Sequence, residues 1–262
     1  HGYTPANGTL ALREAVVEDI SRRHSVGVDP NSVVIVPGGK VTIFFAALMF
    51  GEAGTEILYP NPGFPIYQSA IEFSGATAVP MPLYENTGFS FNAKEVLSKI
   101  TNKTTLIILN SPANPTGGVT PKKELDALVK GLMRHPNVAI LSDEIYSSLL
   151  YDNEDHVSML QYPEIKDRVI ILDGWSKTYA MTGWRIGYGI WPSNFSEKAE
   201  RLAINCNSCV NAVTQVAALE ALTGPQASVD KMRAAFDKRR KTMVAELNAI
   251  PGFRCPMPQG AF

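Results

Sequence analysis

Lys177 lies in the stretch Asp173-Gly174-Trp175-Ser176-Lys177-Thr178-Tyr179-Ala180, directly after the apolar run 169–172. Small residues and aromatics surround it, and such a setting lowers an ammonium's pKa and frees the amine to form a Schiff base. Arg185 follows eight residues later. Four other apolar runs also end in polar groups. Run 33–36 leads into Pro37-Gly38-Gly39-Lys40 and then an apolar helix, an arrangement whose backbone N–H groups suit a phosphate. An ordinary β-to-α turn is the competing reading. Run 56–59 leads into Pro60-Asn61-Pro62-Gly63-Phe64, where Phe64 is either a ring at the same rim or a core residue. Run 105–109 leads into Asn110-Ser111-Pro112-Ala113-Asn114-Pro115-Thr116-Gly117-Gly118; its prolines restrict the path, while Asn114 offers both donor and acceptor. Run 138–141 leads into Ser142-Asp143-Glu144-Ile145-Tyr146, a carboxylate and a phenol at one position in the pattern, with a helix-capping Asp as the alternative.

Groups placed just after apolar runs meet only if the runs are strands of one sheet that share an edge. Seven short strands are predicted, at 33–36, 56–59, 77–81, 105–109, 138–141, 169–172 and 185–190. Runs such as Leu106-Ile107-Ile108-Leu109 are apolar at every position, which suits a sheet covered on both faces by crossover helices. The fold class is therefore α/β, with a mostly parallel sheet. Only about a dozen residues separate the sixth strand from the seventh, too few for a helical crossover, so that pair is expected to be antiparallel. From Asn194 onward three helical stretches follow, the last at about 228–249 with Met232, Phe236, Met243 and Leu247 on one face. The basic run Lys238-Arg239-Arg240-Lys241 falls within that helix and reads as a solvated face rather than a nucleic-acid site.

Composition limits the partners. With 45% hydrophobic and 19% charged residues the 262-residue chain builds a core rather than staying disordered. Twenty-four Lys and Arg against 25 Asp and Glu leave a net charge of -1, which gives no pull toward nucleic acid or an anionic membrane. Cys206, Cys209 and Cys255 form neither a disulfide framework nor a zinc set, so no metal is expected and a reducing cytoplasm is the expected location. No apolar run reaches a bilayer's span. The chain opens on His1 and stops at Pro258-Gln259-Gly260-Ala261-Phe262, a turn leading toward an apolar strand, so a fragment is expected. Residues 1–227 are expected to form a large domain lacking its N-terminal end, and 228–262 a long helix and the start of a small domain.

Tyr3-Thr4-Pro5-Ala6-Asn7-Gly8 with Leu12-Arg13, Gly38-Gly39-Lys40, Asn114-Pro115-Thr116-Gly117, Asp143-Glu144-Ile145-Tyr146 and Ser176-Lys177 with Arg185 occur in that order. Together they resemble the fold type I pyridoxal-phosphate enzymes, and within these the class I/II aminotransferases of the aspartate aminotransferase type. The resemblance implies that Lys177 holds pyridoxal 5'-phosphate through its amine, yields it to the substrate amino group, and then moves the Cα proton. Asp143 would keep the pyridine nitrogen protonated; Tyr146 and Asn114 would hydrogen-bond the cofactor's phenolic oxygen, and Phe64 would stack on its ring. Arg185, Gly39, Lys40 and Ser176 would bind the phosphate. Tyr3 would reach the phosphate of the neighbouring subunit, which implies a homodimer. Asn114 and Lys40 would also meet substrate, Lys40 through the distal carboxylate of an acidic amino acid. The arginine for the α-carboxylate is expected beyond Phe262.

Two positions depart from the family pattern. Gly174 stands where a phosphate-binding hydroxyl is usual, so that role passes to Ser176 or is absent, and Trp175 is bulkier than the residue usual there. The implied activity is transfer of an amino group between an L-amino acid, aspartate or glutamate, and a 2-oxo acid. A C–S lyase or synthase on the same scaffold and a non-catalytic ligand-sensing domain of a transcription regulator are the alternatives.

Overall fold

In a computed structural model, residues 2–152 and 154–262 are described. Seven strands form one sheet: β1 Val33–Val36, β2 Glu56–Asn61, β3 Thr77–Pro82, β4 Thr104–Asn110, β5 Ala139–Asp143, β6 Val169–Gly174 and β7 Gly187–Ile190. Their spatial order is β1-β7-β6-β5-β4-β2-β3. The pairs from β3 through β6 are parallel, and β7 runs antiparallel to both β6 and β1. Each predicted strand is present, and the antiparallel step between the sixth and seventh is as expected.

The apolar runs are explained by burial on both faces. Val33, Ile35, Ile107, Leu109, Ile140 and Ile171 point into one core, shared with helices α1 (Leu10–His24) and α8 (Ala212–Thr223). Their neighbours Val34, Val36, Leu106, Ile108, Leu141 and Ile170 point into the other, shared with α2 (Lys40–Phe50), α3 (Ile66–Phe73) and α7 (Ser193–Asn207). The alternation is that of a pleated strand. Helices α4 (Ala93–Ser98), α5 (Lys122–Leu132), α6 (Trp175–Thr178) and α9 (Ala227–Asn248) complete the set among the described residues.

Three details correct the sequence reading. Arg185 is not in the seventh strand; it takes a left-handed conformation (φ 50°) after the turn Thr182–Trp184, two residues before β7 begins. On α9, Arg240 and Val244 are buried with Met232, Phe236 and Leu247 half-buried beside them, while Met243 is 61% exposed, so the docked face keeps three of the four expected residues and takes in Arg240 and Val244 in place of Met243. The basic run is accordingly not a uniformly solvated face. The Arg240 guanidinium pairs with Asp152 and Asp237 and donates to the Pro258 carbonyl at 2.7 Å. Within the turn at 258–262, Gly260 forms a single antiparallel bridge with Leu150.

Candidate active site

Topology brings the polar groups to one edge. The carboxyl ends of β1, β2, β4, β5 and β6 deliver Gly38, Phe64, Asn110, Asp143 and Lys177 there. Because β7 is antiparallel, its amino end lies at the same edge, opposite Val36 and Gly174, and this places Arg185 with the others. A cavity of about 200 Å³ results, lined by Gly39, Lys40, Phe64, Asn114, Asp143, Tyr146, Ser176, Lys177 and Arg185. Every predicted site residue except Tyr3 is among them. Tyr3 is 90% exposed and does not reach this cavity within its own chain.

Asp143 ends β5 fully buried, and burial pushes its carboxyl up to about 7. Two donors oppose that shift: the Tyr67 hydroxyl at 2.7 Å and the Ile145 amide at 3.3 Å. Tyr67 went unnoticed in the sequence. It sits in the amphipathic pattern of α3, where an apolar face accounts for it, and only the fold brings its hydroxyl to a carboxylate 76 positions away. Its own pKa is raised well above the usual value by burial and by Asp143.

Lys177 lies in the single turn α6, its Nζ 5.6 Å from the centre of the Tyr146 ring and 4.9 Å from that of Phe262. Burial lowers its pKa, and the charges of Arg185 and Lys40 lower it further, against the pull of Asp143. Phe262 is a second site neighbour that the sequence did not reveal. The Tyr146 hydroxyl is pushed up to about 12, chiefly by burial, and stands 3.4 Å from the Asn114 amide nitrogen, a long contact. Asn114 is held in turn by its own backbone N–H on the Asn110 side chain at 2.9 Å, and Asn110 is tied to the Asp143 carbonyl at 3.0 Å.

At the other end, Gly39 caps the 11-residue helix α2, whose first turn offers backbone N–H groups and the positive end of the helix dipole. Gly38 has φ 92°, and a Cβ there would fall 2.2 Å from the Arg185 Nη2, so glycine is required for the guanidinium to lie across the turn. The Arg185 Nη1 donates to the Thr182 carbonyl at 2.7 Å, which orients the fork. Lys40 is exposed, its Nζ 5.1 Å from the Phe64 ring centre. Both departures from the family pattern have local reasons. A Cβ on Gly174 would lie 2.6 Å from the Gly187 Cα, so the close approach of β6 and β7 excludes a hydroxyl residue. Trp175 is fully buried, stacks edge-on against Tyr188 and donates its indole N–H to the Ala218 carbonyl at 2.9 Å, pinning α8 to the sheet.

A parallel, helix-covered sheet with a lysine, a buried carboxylate and a phosphate-type turn at its carboxyl edge defines a cofactor-binding α/β class. Residues 1–262 match the family model described as "Aminotransferase class I and II", and the chain belongs to that family. It is 36% identical over 261 residues to an aspartate aminotransferase of Bacillus sp. (strain YM-2), covering 99% of this chain and 66% of that one. Among solved structures it is similar to the aspartate aminotransferase from Rhizobium meliloti (TM-score 0.96, 32% identity, 100% of this chain and 66% of that one). The aromatic aminotransferase from Pyrococcus horikoshii OT3 matches with TM-score 0.95 and 34% identity over 100% of this chain and 70% of that one. The chain thus spans about two thirds of the length of the curated relatives it matches. No helix among the described residues is long and apolar enough to cross a membrane.

Proposed function

We propose that the protein is a pyridoxal-phosphate-dependent aminotransferase that moves an amino group between an L-amino acid, aspartate or glutamate by preference, and a 2-oxo acid, in a cytoplasmic homodimer. The observation that carries this reading is the meeting of the Lys177 amine with the buried Asp143 carboxylate in one cavity closed at its far end by Gly39 and Arg185. The residues suit the cofactor. Asp143 is a buried carboxylate without a cationic partner among the described residues, which a protonated ring nitrogen supplies, and the glycine at 38 lets the Arg185 guanidinium lie across the α2 N-terminus, a setting that suits a phosphate.

Pyridoxal phosphate, when bound, supplies a ring that accepts the electrons left by a broken bond at the substrate Cα. Lys177 holds the cofactor through an amine whose lowered pKa favours the neutral, nucleophilic form, and then moves the proton at Cα. Asp143 keeps a proton on the ring nitrogen. Tyr146, with its hydroxyl protonated at neutral pH, donates to the phenolic oxygen alongside Asn114. Phe64 covers the ring face, and Arg185, Ser176, Gly39 and Lys40 bind the phosphate. Lys40 also pairs with the distal carboxylate of an acidic substrate, and the exposed Tyr3 serves the phosphate of the neighbouring subunit.

Borohydride reduction of the protein with pyridoxal phosphate should fix the cofactor on Lys177, located by peptide mass mapping, and aspartate with 2-oxoglutarate should yield oxaloacetate and glutamate. Lys177→Ala should do neither; a reducible adduct that survives in it overturns the assignment. Release of pyruvate and ammonia without an oxo-acid acceptor would mark a lyase instead.

A further inference from the structure

On the opposite side of the Asp143 strand end lies a larger cavity, of about 800 Å³, with His24 and His156 in its wall. We propose that His24, Glu144 and His156 form a binding site for a divalent transition metal of the zinc class.

Glu144 follows Asp143, and each has its own set of partners: Asp143 lines the cofactor cavity, while Glu144 meets the histidines. Its Oε1 accepts from the Ser142 hydroxyl at 2.9 Å and from the Met159 amide at 3.0 Å, which fixes the carboxylate. Its Oε2 faces the His156 Nδ1 at 3.7 Å. The other nitrogen of that ring, Nε2, lies 3.0 Å from the Ser111 carbonyl oxygen. A carbonyl only accepts, so Nε2 carries the proton, and in the neutral ring Nδ1 presents a lone pair to the carboxylate. Two acceptors then confront one another. At 3.7 Å the pair lies beyond the ~2.7–2.9 Å of a charge-assisted hydrogen bond, and His156 Nδ1 has no hydrogen-bond partner among the described residues.

His24, at the end of α1, is the second observation. It is 6% exposed, and neither ring nitrogen has a hydrogen-bond partner among the described residues, which is costly for a buried polar ring with nothing to bind. Its ring meets His156 edge-on with centroids 5.7 Å apart. One donor atom from each of the three residues lies within 4.8 Å of the others. A tetrahedral zinc with bonds of ~2.0–2.2 Å sets its ligand atoms ~3.3–3.6 Å apart, so the three side chains must draw together by up to roughly 1–1.5 Å to close on the ion. Two imidazoles and a carboxylate select zinc-like ions over calcium or magnesium, and the Ser111 carbonyl is the outer partner that orients a ligating histidine. The ion would tie the end of α1 to the end of β5 and to the loop that carries His156.

The test uses the full chain with Cys206→Ser, Cys209→Ser and Cys255→Ser to remove thiol binding, stripped with EDTA and dialysed against Zn²⁺. About one zinc should remain per chain by elemental analysis, and Co²⁺ in its place should show a visible d–d band. His24→Leu should bind at least about tenfold more weakly while its metal-free form unfolds at no lower denaturant concentration, because it removes an unpartnered polar ring. Loss of zinc on dialysis, or equal retention by the His24→Leu and His156→Gln chains, overturns the proposal. Should either variant fail to fold, the Co²⁺ spectrum of the unaltered ligand set decides: a band supports the site and its absence refutes it.

Discussion

Asp143 is a carboxylate held in an unfavourable place, and its titration exposes what the site lacks. Folded, it ionises at about 7; unfolded, near ~3.9. Between those values the folded chain binds the extra proton, so the contribution of Asp143 to stability is full below about pH 4 and is lost as the pH rises through 7. Cofactor-free protein should therefore unfold at lower urea concentration at about pH 8 than at about pH 5, and Asp143→Asn should flatten that slope. Tyr67→Phe removes a donor that lowers the pKa, so it should extend the loss to higher pH. An unchanged slope in Asp143→Asn would assign the titration to other groups. In turnover the same variant should retain cofactor yet lose on the order of a hundredfold or more in rate, since the ring nitrogen loses its counter-charge. Lys40 is tested by substrate: with a charge-assisted contact of about 1.5–3 kcal/mol to a distal carboxylate, Lys40→Ala should lower kcat/KM for aspartate far more than for alanine. Equal losses would confine it to the phosphate. Lys177, Asp143 and Asn114 were legible because each follows an apolar run that could only be a strand, and Arg185 by its spacing from Lys177. Tyr67 and Phe262 were not, because nothing in their local pattern separates a site residue from a packed aromatic.

At the scale of elements, the sheet was readable because burial on both faces removes polar residues from the strands, leaving 106–109 and 169–172 as unbroken apolar runs. What the runs did not contain was contact across strands. Gly174 looks like a missing hydroxyl in the sequence; in the fold it is opposite Gly187, and the two backbones approach too closely for a side chain. Gly174→Ser should drive β6 and β7 apart and cost about 1–3 kcal/mol, read as a lower urea midpoint with an unchanged slope. Stability equal to the parent would show that the strands have room to separate. Trp175 likewise makes sense only with α8 in place, its indole N–H satisfying the carbonyl of Ala218.

At the scale of the whole molecule, α9 reaches the site through one arginine and one aromatic stack. Arg240 contacts Asp152, Asp237, the Pro258 carbonyl and the Tyr151 ring, 4.5 Å from its centre. Phe236, one turn earlier, stacks on Phe262, which in turn lies 4.9 Å from the Lys177 Nζ. The basic run concealed this, since three of its four residues, Lys238, Arg239 and Lys241, do face solvent and a charge pattern carries no mark of the one that turns inward. Asp152 is half exposed, so its attraction is screened, and the main loss on removing the guanidinium is the donor to Pro258. Arg240→Leu should cost about 1–3 kcal/mol locally. Hydrogen exchange should then quicken at the amides of Tyr151 and Ala261, which bond to the Gln259 and Leu149 carbonyls, while the amides of β4 and β5 keep their protection. Arg240→Lys should recover only part of this, because an ammonium cannot reproduce the planar fork. Acceleration spread evenly over the sheet would mean that Arg240 supports global stability, and no acceleration would mean that Val244 and Phe236 dock α9 by themselves.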